Sequence, residues 1–437
     1  MRVPKQMKMV LDYTCQHKCE HCYNPGRTPN LAAPLTVTST PSTVRQIIAE
    51  CGRNGVTNMN FTGGEPLLHR DLLYEGLRAS HEWNMYCSVN TSLIALNEKD
   101  IDVFQEVNIV GLNVSMPHHR AEEFNRITAS KNYDRFIDRL NLCKKRDQVV
   151  TVNTVVTKNT WQDTYEAGKF LHEEFGLLNF GASPVYPSSV EHVGLMLEPA
   201  QVEKVYDMLF QLKEDFGMNT GTFRAVVPCF SETPEKYIEF TRGCGMVRTE
   251  LTLLANGEVK ACDAFPMKYG NMLERPLDEV LDSTDPFLPY EDGTLFKAFP
   301  SECEPCSEKL HCRGGCRIEA LVVNGSVDAP NPYFRQPLEA GLFPEYVELP
   351  DWTVGLLQVA IPEQQTGQLE NGIPIYEGCG RDLFSPEELA LLHLLQLEKR
   401  KNHPVDANMF RIQNRLRDDL LRAFLSKLSD NALIDRP

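Results

Sequence analysis

The sequence predicts an α/β fold: a partial (β/α)6 barrel, then a cysteine-rich region, then a mostly helical C-terminal tail. Three observations predict it. Between Met7 and Tyr186 short apolar runs alternate with longer amphipathic ones, the pattern of parallel strands joined by helices. From about Arg242 to Phe334 the chain is rich in Cys, Gly and Pro and poor in periodic runs, as suits a small region held by metal rather than by an apolar core. After Ser385 leucines recur on one helical face.

Each element has its own signal. Met7–Tyr13, Val56–Phe61, Tyr86–Val89, Ile109–Ser115, Val149–Thr157 and Leu178–Tyr186 read as strands. Val44–Glu50, Asp71–Ser80, Lys99–Glu106, Tyr133–Lys145 and Trp161–Phe175 read as the helices between them. Such units fall short of the eight that close a full barrel. In folds of this kind the chemistry sits on loops at the C-terminal ends of strands, and the first cysteine cluster lies after the first strand. Pro330–Asp351 reads as an irregular linker and Thr353–Ile361 as a strand. Ser385-Pro386-Glu387-Glu388 is a capping box with Pro at the first helical position, followed by the apolar face of Leu389, Leu392 and Leu395–Leu397. Ala407–Leu428 reads as a second tail helix. The expected domains are residues 1–235, 236–336 and 337–437.

Charge narrows the partners. The net charge of -16 repels phosphate backbones and anionic lipid heads, so neither nucleic acid nor membrane is expected as a partner. No stretch approaches the roughly 20 apolar residues of a membrane helix. Met1–Val10 holds no apolar run suited to a signal peptide, and the expected location is the cytoplasm. In a reducing compartment clustered cysteines read as metal ligands rather than disulfides. The chain has 14 cysteines. Cys51, Cys87 and Cys143 stand alone on helices or strands and read as small buried apolar residues.

Cys15, Cys19 and Cys22 supply three thiolates on one loop. A cubane cluster has four irons, so three ligands leave one iron open. A structural zinc site is the alternative, with His17 or His21 as a fourth ligand. The run Cys15-Gln16-His17-Lys18-Cys19-Glu20-His21-Cys22-Tyr23 resembles the signature loop of the radical S-adenosylmethionine (SAM) superfamily. That resemblance implies a TIM-like partial barrel, a 4Fe–4S cluster on these cysteines and SAM chelated at the open iron. It also implies reductive SAM cleavage to a 5′-deoxyadenosyl radical that takes hydrogen from substrate. Thr62-Gly63-Gly64-Glu65-Pro66 resembles the family's Gly-Gly-Glu motif, where Gly63, Gly64 and Glu65 would receive the SAM ammonium. By the same resemblance Asn90 and Ser115 contact SAM, as does Arg126 at its carboxylate, and Tyr23 packs by the adenine. Asn113 and Asn153 fall near family positions on the fourth and fifth strands. For Asn90, Ser115 and Arg126 ordinary loop polarity is an equal reading.

Cys244, Gly257 and Cys262, followed by Cys303, Cys306, Cys312 and Cys316, resemble the SPASM domain, which follows the radical SAM barrel in peptide-modifying enzymes. The resemblance implies two auxiliary 4Fe–4S clusters, one on Cys244, Cys262 and Cys316, the other on Cys303, Cys306 and Cys312. Cys229 stands as a fourth ligand for the first. The family's closing cysteine is missing, since position 334 is Phe; either Cys379 replaces it, or the second cluster is open, smaller or absent. A zinc ribbon at Cys303–Cys316 is the alternative. Asp263 follows Cys262, where sulfatase-maturing relatives carry a base; a solvated loop aspartate is the plainer reading.

These features imply a peptide maturase acting on a ribosomal precursor by oxidative crosslinking or a related change, with a reducing partner such as flavodoxin or ferredoxin. The alternatives are a small-molecule radical SAM enzyme, a sulfatase maturase and a non-catalytic iron–sulfur scaffold. The tail helices resemble part of a winged-helix peptide-recognition module; packing on the SPASM region is their other reading.

Overall fold

A computed structural model describes residues 4–24, 37–241, 243–246, 250–265, 268–281 and 300–339, and the backbone of five short strands beyond them. The chain divides into two units, Met1–Glu345 and Tyr346–Pro437.

The first unit begins with alternating strands and helices. The strands are β1 (Gln6–Val10), β2 (Asn58–Thr62), β3 (Tyr86–Thr91), β4 (Gly111–Ser115), β5 (Val150–Val156) and β6 (Asn179–Pro184). They lie side by side in chain order, all parallel. The helices are α1 (Pro41–Arg53), α2 (Arg70–Glu82), α3 (Glu98–Glu106), α4 (Ala121–Thr128), α5 (Tyr133–Lys145) and α6 (Thr164–Phe175). Local signals set their ends. Thr40 caps α1 ahead of Pro41, and Asn97 with Asp100 forms a reciprocal capping box on α3. Strand residues alternate between two environments. Met7, Met9, Phe61, Val89, Leu112 and Val152 are sealed in the core, whereas Lys8, Asn60, Asn90, Asn113 and Asn153 occupy the opposite, partly open face.

The sheet is longer than the expected barrel. Past α7 (Val190–Val193) and the long α8 (Pro199–Phe216), β7 (Asn219–Gly221) extends it beyond β6. On the other side β8 (Glu250–Leu254) pairs parallel with β1, so the cysteine-rich region joins the barrel's own sheet. The strands β9 (Glu258–Lys260) and β10 (Lys268–Asn271) continue it antiparallel. Short helices α9 (Leu277–Leu281) and α10 (Lys309–Cys312) precede α11 (Arg317–Asn324). Neither α4 nor α8 is among the elements read from periodicity, although Glu198-Pro199-Ala200-Gln201 forms a capping box with Pro at the first helical position of α8.

In the second unit β11 (Leu356–Val359) pairs antiparallel with β14 (Val405–Asp406) and β15 (Ile434–Asp435), and β12 (Gln365–Glu370) with β13 (Ile373–Tyr376). The strand expected at Thr353–Ile361 overlaps β11. The helices expected from Ser385 and over Ala407–Leu428 lie outside the described residues.

Candidate functional site

The loop after β1 carries Cys15, Cys19 and Cys22, all partly exposed. Two elements hold it. Below it, Gly64 N–H donates to Asp12 O (2.7 Å) and Glu65 N–H to Thr14 O (2.8 Å). A Cβ on Gly64 would stand 2.0 Å from Thr14 O, so only glycine lets the two backbones meet. Beside it, the end of α4 accepts from the loop: Lys18 N–H to Thr128 O (2.9 Å) and Glu20 N–H to Ile127 O (3.1 Å). Arg126 on α4 forks onto Glu20 (2.8 Å) and Glu123 (2.9 Å).

Glu65 is 1% exposed. Its Oε1 accepts from Leu67 N–H (3.2 Å) and Thr91 O–H (2.7 Å), and its Oε2 from Ser92 N–H (2.8 Å) and Ser92 O–H. An ionised carboxylate has about four acceptor sites, and all are used. Gln16 of the cysteine loop donates to Ser92 Oγ (2.7 Å). The Glu65 carboxylate therefore latches the Gly-Gly turn, the end of β3 and the cysteine loop together.

The polar face opens beside this loop. Asn60 and Asn113 both donate to Asn90 Oδ1 (2.9 and 3.0 Å), joining β2, β3 and β4. Ser115 is exposed at the end of β4, in register with Asn153, whose Oδ1 accepts from Ser183 (2.8 Å). Lys8 donates to Tyr23 Oη (3.1 Å) and lies 3.9 Å from Asp263 Oδ2. Burial opposes the charge on Lys8, but Tyr23, Asp263 and Glu250 outweigh it and hold the ammonium above its ordinary range. Tyr13 donates to Asp263 Oδ1 (3.2 Å), and burial, then that carboxylate, push its phenol up. Asp263 is 4% exposed, so the solvated-loop reading of it is overturned. Tyr186 packs 5.8 Å from the Tyr23 ring.

The His17 Nε2 faces Asn132 Nδ2 (3.2 Å), and its ring meets Phe124 edge-on. Burial, then the neighbouring His192, depress the His21 imidazole to about 4.

The later cysteines form two groups. Burial and the neighbouring Cys244 push the Cys262 thiol up to about 12, and Cys316 is raised by burial and by Glu319, Cys244 and Cys262. Cys303, Cys306 and Cys312 line one cavity together with Cys229, Phe334 and Leu338. Cys229 thus stands with the second group and not with the first. Cys379 lies outside the described residues. Arg317 is buried between the groups, close enough to interact with Cys244, Cys303 and Cys312. Among the described residues no three His, Cys, Asp or Glu converge closely enough to hold one bare metal ion.

Lys8, Tyr13, Asn60 and Tyr186 were not singled out from the sequence. Lys8 carried a signal, a lone charge among Met7, Met9 and Val10.

Residues 9–171 match the family model described as the radical SAM superfamily. PqqA peptide cyclase of Granulibacter bethesdensis is 23% identical over 346 residues, covering 75% of this chain and 86% of that protein. The PqqA peptide cyclase of Xanthomonas euvesicatoria is 22% identical, covering 77% of this chain and 89% of that protein. The fold matches Streptococcus suis SuiB, solved with its precursor peptide SuiA, at a TM-score of 0.62 and 18% identity, over 78% of this chain and 76% of that one. It also matches anSMEcpe, solved with bound AdoMet, at 0.58 and 18%, over 75% and 94%. Among the described residues no helix is long and apolar enough to cross a membrane. The strands and loops just described, residues 9–171, therefore form a radical SAM domain.

Proposed function

We propose that this enzyme modifies a ribosomally made precursor peptide. The observation that carries the reading is the three-thiol loop seated on the Gly63–Gly64 turn and opening onto a polar strand face, with two more cysteine groups behind it. The names of the relatives support it, since they act on or bind the peptides PqqA and SuiA.

The donor set suits the cofactors: three thiols on one loop would hold a 4Fe–4S cluster and leave an iron for SAM. When bound, that pair supplies a carbon radical that removes hydrogen from substrate. The chain's residues do the rest. Backbone at Gly63 and Gly64 receives the SAM ammonium, with Glu65 fixing that backbone through Thr91 and Ser92. Asn90 and Ser115 offer polar contacts along the strand ends, and Tyr23, braced by Lys8, would pack by the adenine. Arg126 holds Glu20 and through it the cysteine loop. Asp263 would take a substrate proton at Oδ2, the oxygen that faces Lys8 while Tyr13 holds Oδ1. Residues 236–336 read as a SPASM region, in which Cys244, Cys262 and Cys316, and Cys303, Cys306 and Cys312, would hold auxiliary clusters able to accept an electron. A flavodoxin or ferredoxin supplies the reducing electron.

Two experiments test this. Replacing Cys15, Cys19 and Cys22 by Ala abolishes 5′-deoxyadenosine formation under dithionite; continued SAM cleavage by that triple variant sinks the cofactor assignment. Anaerobic co-expression with the short peptide encoded beside the gene removes two hydrogens from the peptide's mass if a crosslink forms. An unchanged peptide, in heavy water as well as normal water, with SAM cleavage intact, moves the substrate to a small molecule.

A further inference from the structure

The second cysteine group lacks the closing cysteine of its motif, because Phe occupies position 334. We propose that Cys229 is the fourth thiolate of this cluster, brought in from a different part of the chain to replace the missing one. The inference rests on the auxiliary-cluster reading above.

Three observations carry it. Cys229 lines the same cavity as Cys303, Cys306 and Cys312, and Phe334 lines that cavity too. The vacated position and its substitute therefore face one void. The chain next to Phe334 passes close to Cys229, whose thiolate the Arg335 backbone favours. Leu338 N–H donates to Cys306 Sγ (3.4 Å), an amide–sulfur contact of the kind that tunes iron–sulfur clusters. Finally, the fold makes room for the segment that bears Cys229. The turn Pro228–Phe230 follows Val227, and a Cβ on Gly315 would stand 2.5 Å from Val227 Cγ1. Gly315 has a φ of +73°, which disfavours any side chain there. The Arg313-Gly314-Gly315 turn between Cys312 and Cys316 is thus shaped to let Val227 and Cys229 approach. As an ordinary core residue, Cys229 would need no company of three other thiols.

The test is iron and acid-labile sulfide per chain, with the electron paramagnetic resonance of the reduced protein, in the full-length enzyme reconstituted anaerobically. Cys312→Ala serves as the reference for loss of this cluster. Cys229→Ala loses the same signal and the same iron, about four per chain, and the double variant Cys229→Ala, Cys312→Ala loses no more than either. Cys229→Ala with Phe334→Cys regains the iron, because the thiol returns to the motif's own position; this also separates ligand loss from misfolding. Full iron and an unaltered signal in Cys229→Ala, with loss in Cys312→Ala, overturns the role of Cys229 and leaves the cluster standing. Loss in Cys379→Ala but not in Cys229→Ala overturns it in favour of the tail cysteine. Full iron in Cys312→Ala removes the auxiliary cluster itself.

Discussion

Glu65 shows how much one side chain can fix within the protein itself. Four donors from Leu67, Thr91 and Ser92 converge on its buried carboxylate. Glu65→Gln keeps the shape but puts an NH2 where one oxygen stood, against two donors that then have no acceptor. Leaving buried donors unpaired costs about 1–3 kcal/mol. The expected result is a lower urea midpoint and weaker SAM binding together, since the latch also reaches the cysteine loop through Gln16. Weaker SAM binding at unchanged stability would instead place the carboxylate on the cofactor. The motif Gly63-Gly64-Glu65 was legible in the sequence; the partners of Glu65 were not, because they lie on another strand, 26 and 27 positions away. The same holds for Asp263, whose partners Tyr13 and Lys8 sit at the opposite end of the chain. Spacing within a loop reveals ligands, whereas sheet pairing decides which distant groups brace them.

At the scale of elements, the parallel strands were legible because apolar runs recur between turn signals, while α4 was hidden by its shortness and lack of a side-chain cap. It is nonetheless the wall of the cysteine loop. Arg126 was read as a cofactor ligand, and its guanidinium is held by Glu20 and Glu123. Exposed pairs of this kind contribute about 0–1 kcal/mol. Arg126→Ala and Glu20→Gln therefore affect SAM affinity alike, and the double variant no more than either; a loss confined to Arg126→Ala would restore it as a direct ligand. The segment entering α4 is also pH-sensitive. His118 Nδ1 accepts from Arg120 N–H (3.0 Å), so Nε2 carries the proton and donates to Asp163 (3.1 Å). Burial depresses both His118 and its stacked neighbour His119, although Asp163 pulls the other way. The unfolded chain then binds protons at higher pH than the folded one. Stability from this pair is complete above about pH 6.5 and falls as pH drops through that value toward the lower folded-state values. Unfolding midpoints from about pH 7.5 to about pH 5.5 should slope less in His118→Gln, His119→Gln than in the parent.

Across the whole first unit, the barrel and the cysteine-rich region are one body. Strand β8 continues the barrel sheet beside β1, a pairing that joins positions more than two hundred residues apart and that no local pattern announces. A buried ion pair closes the opposite side. Arg224 donates from Nε to Glu319 on α11 (2.7 Å) and from Nη1 to the carbonyls of Pro184 (3.1 Å) and Val185 (2.6 Å) at the end of β6. Asn331 donates to the other Glu319 oxygen (2.9 Å), and the Tyr333 ring covers the guanidinium at 5.0 Å. Both charges are sealed, at 4% and 0% exposure of their side chains. Because α11 starts immediately after Cys316, this pair ties the stretch that bears that thiol to the end of β6. Removing one partner strands a buried charge, so Glu319→Gln should lower stability by about 3–5 kcal/mol. Arg224→Met with Glu319→Leu removes both charges and recovers most of that loss, since desolvating the pair offsets much of its attraction. The two variants separate folding from positioning. If the pair aligns Cys316, the double variant unfolds near the parent's urea midpoint yet shows an altered resonance for the cluster proposed on Cys244, Cys262 and Cys316. An unaltered resonance at parental stability would reduce the pair to a replaceable core contact, and the shared sheet alone would hold the two regions in line.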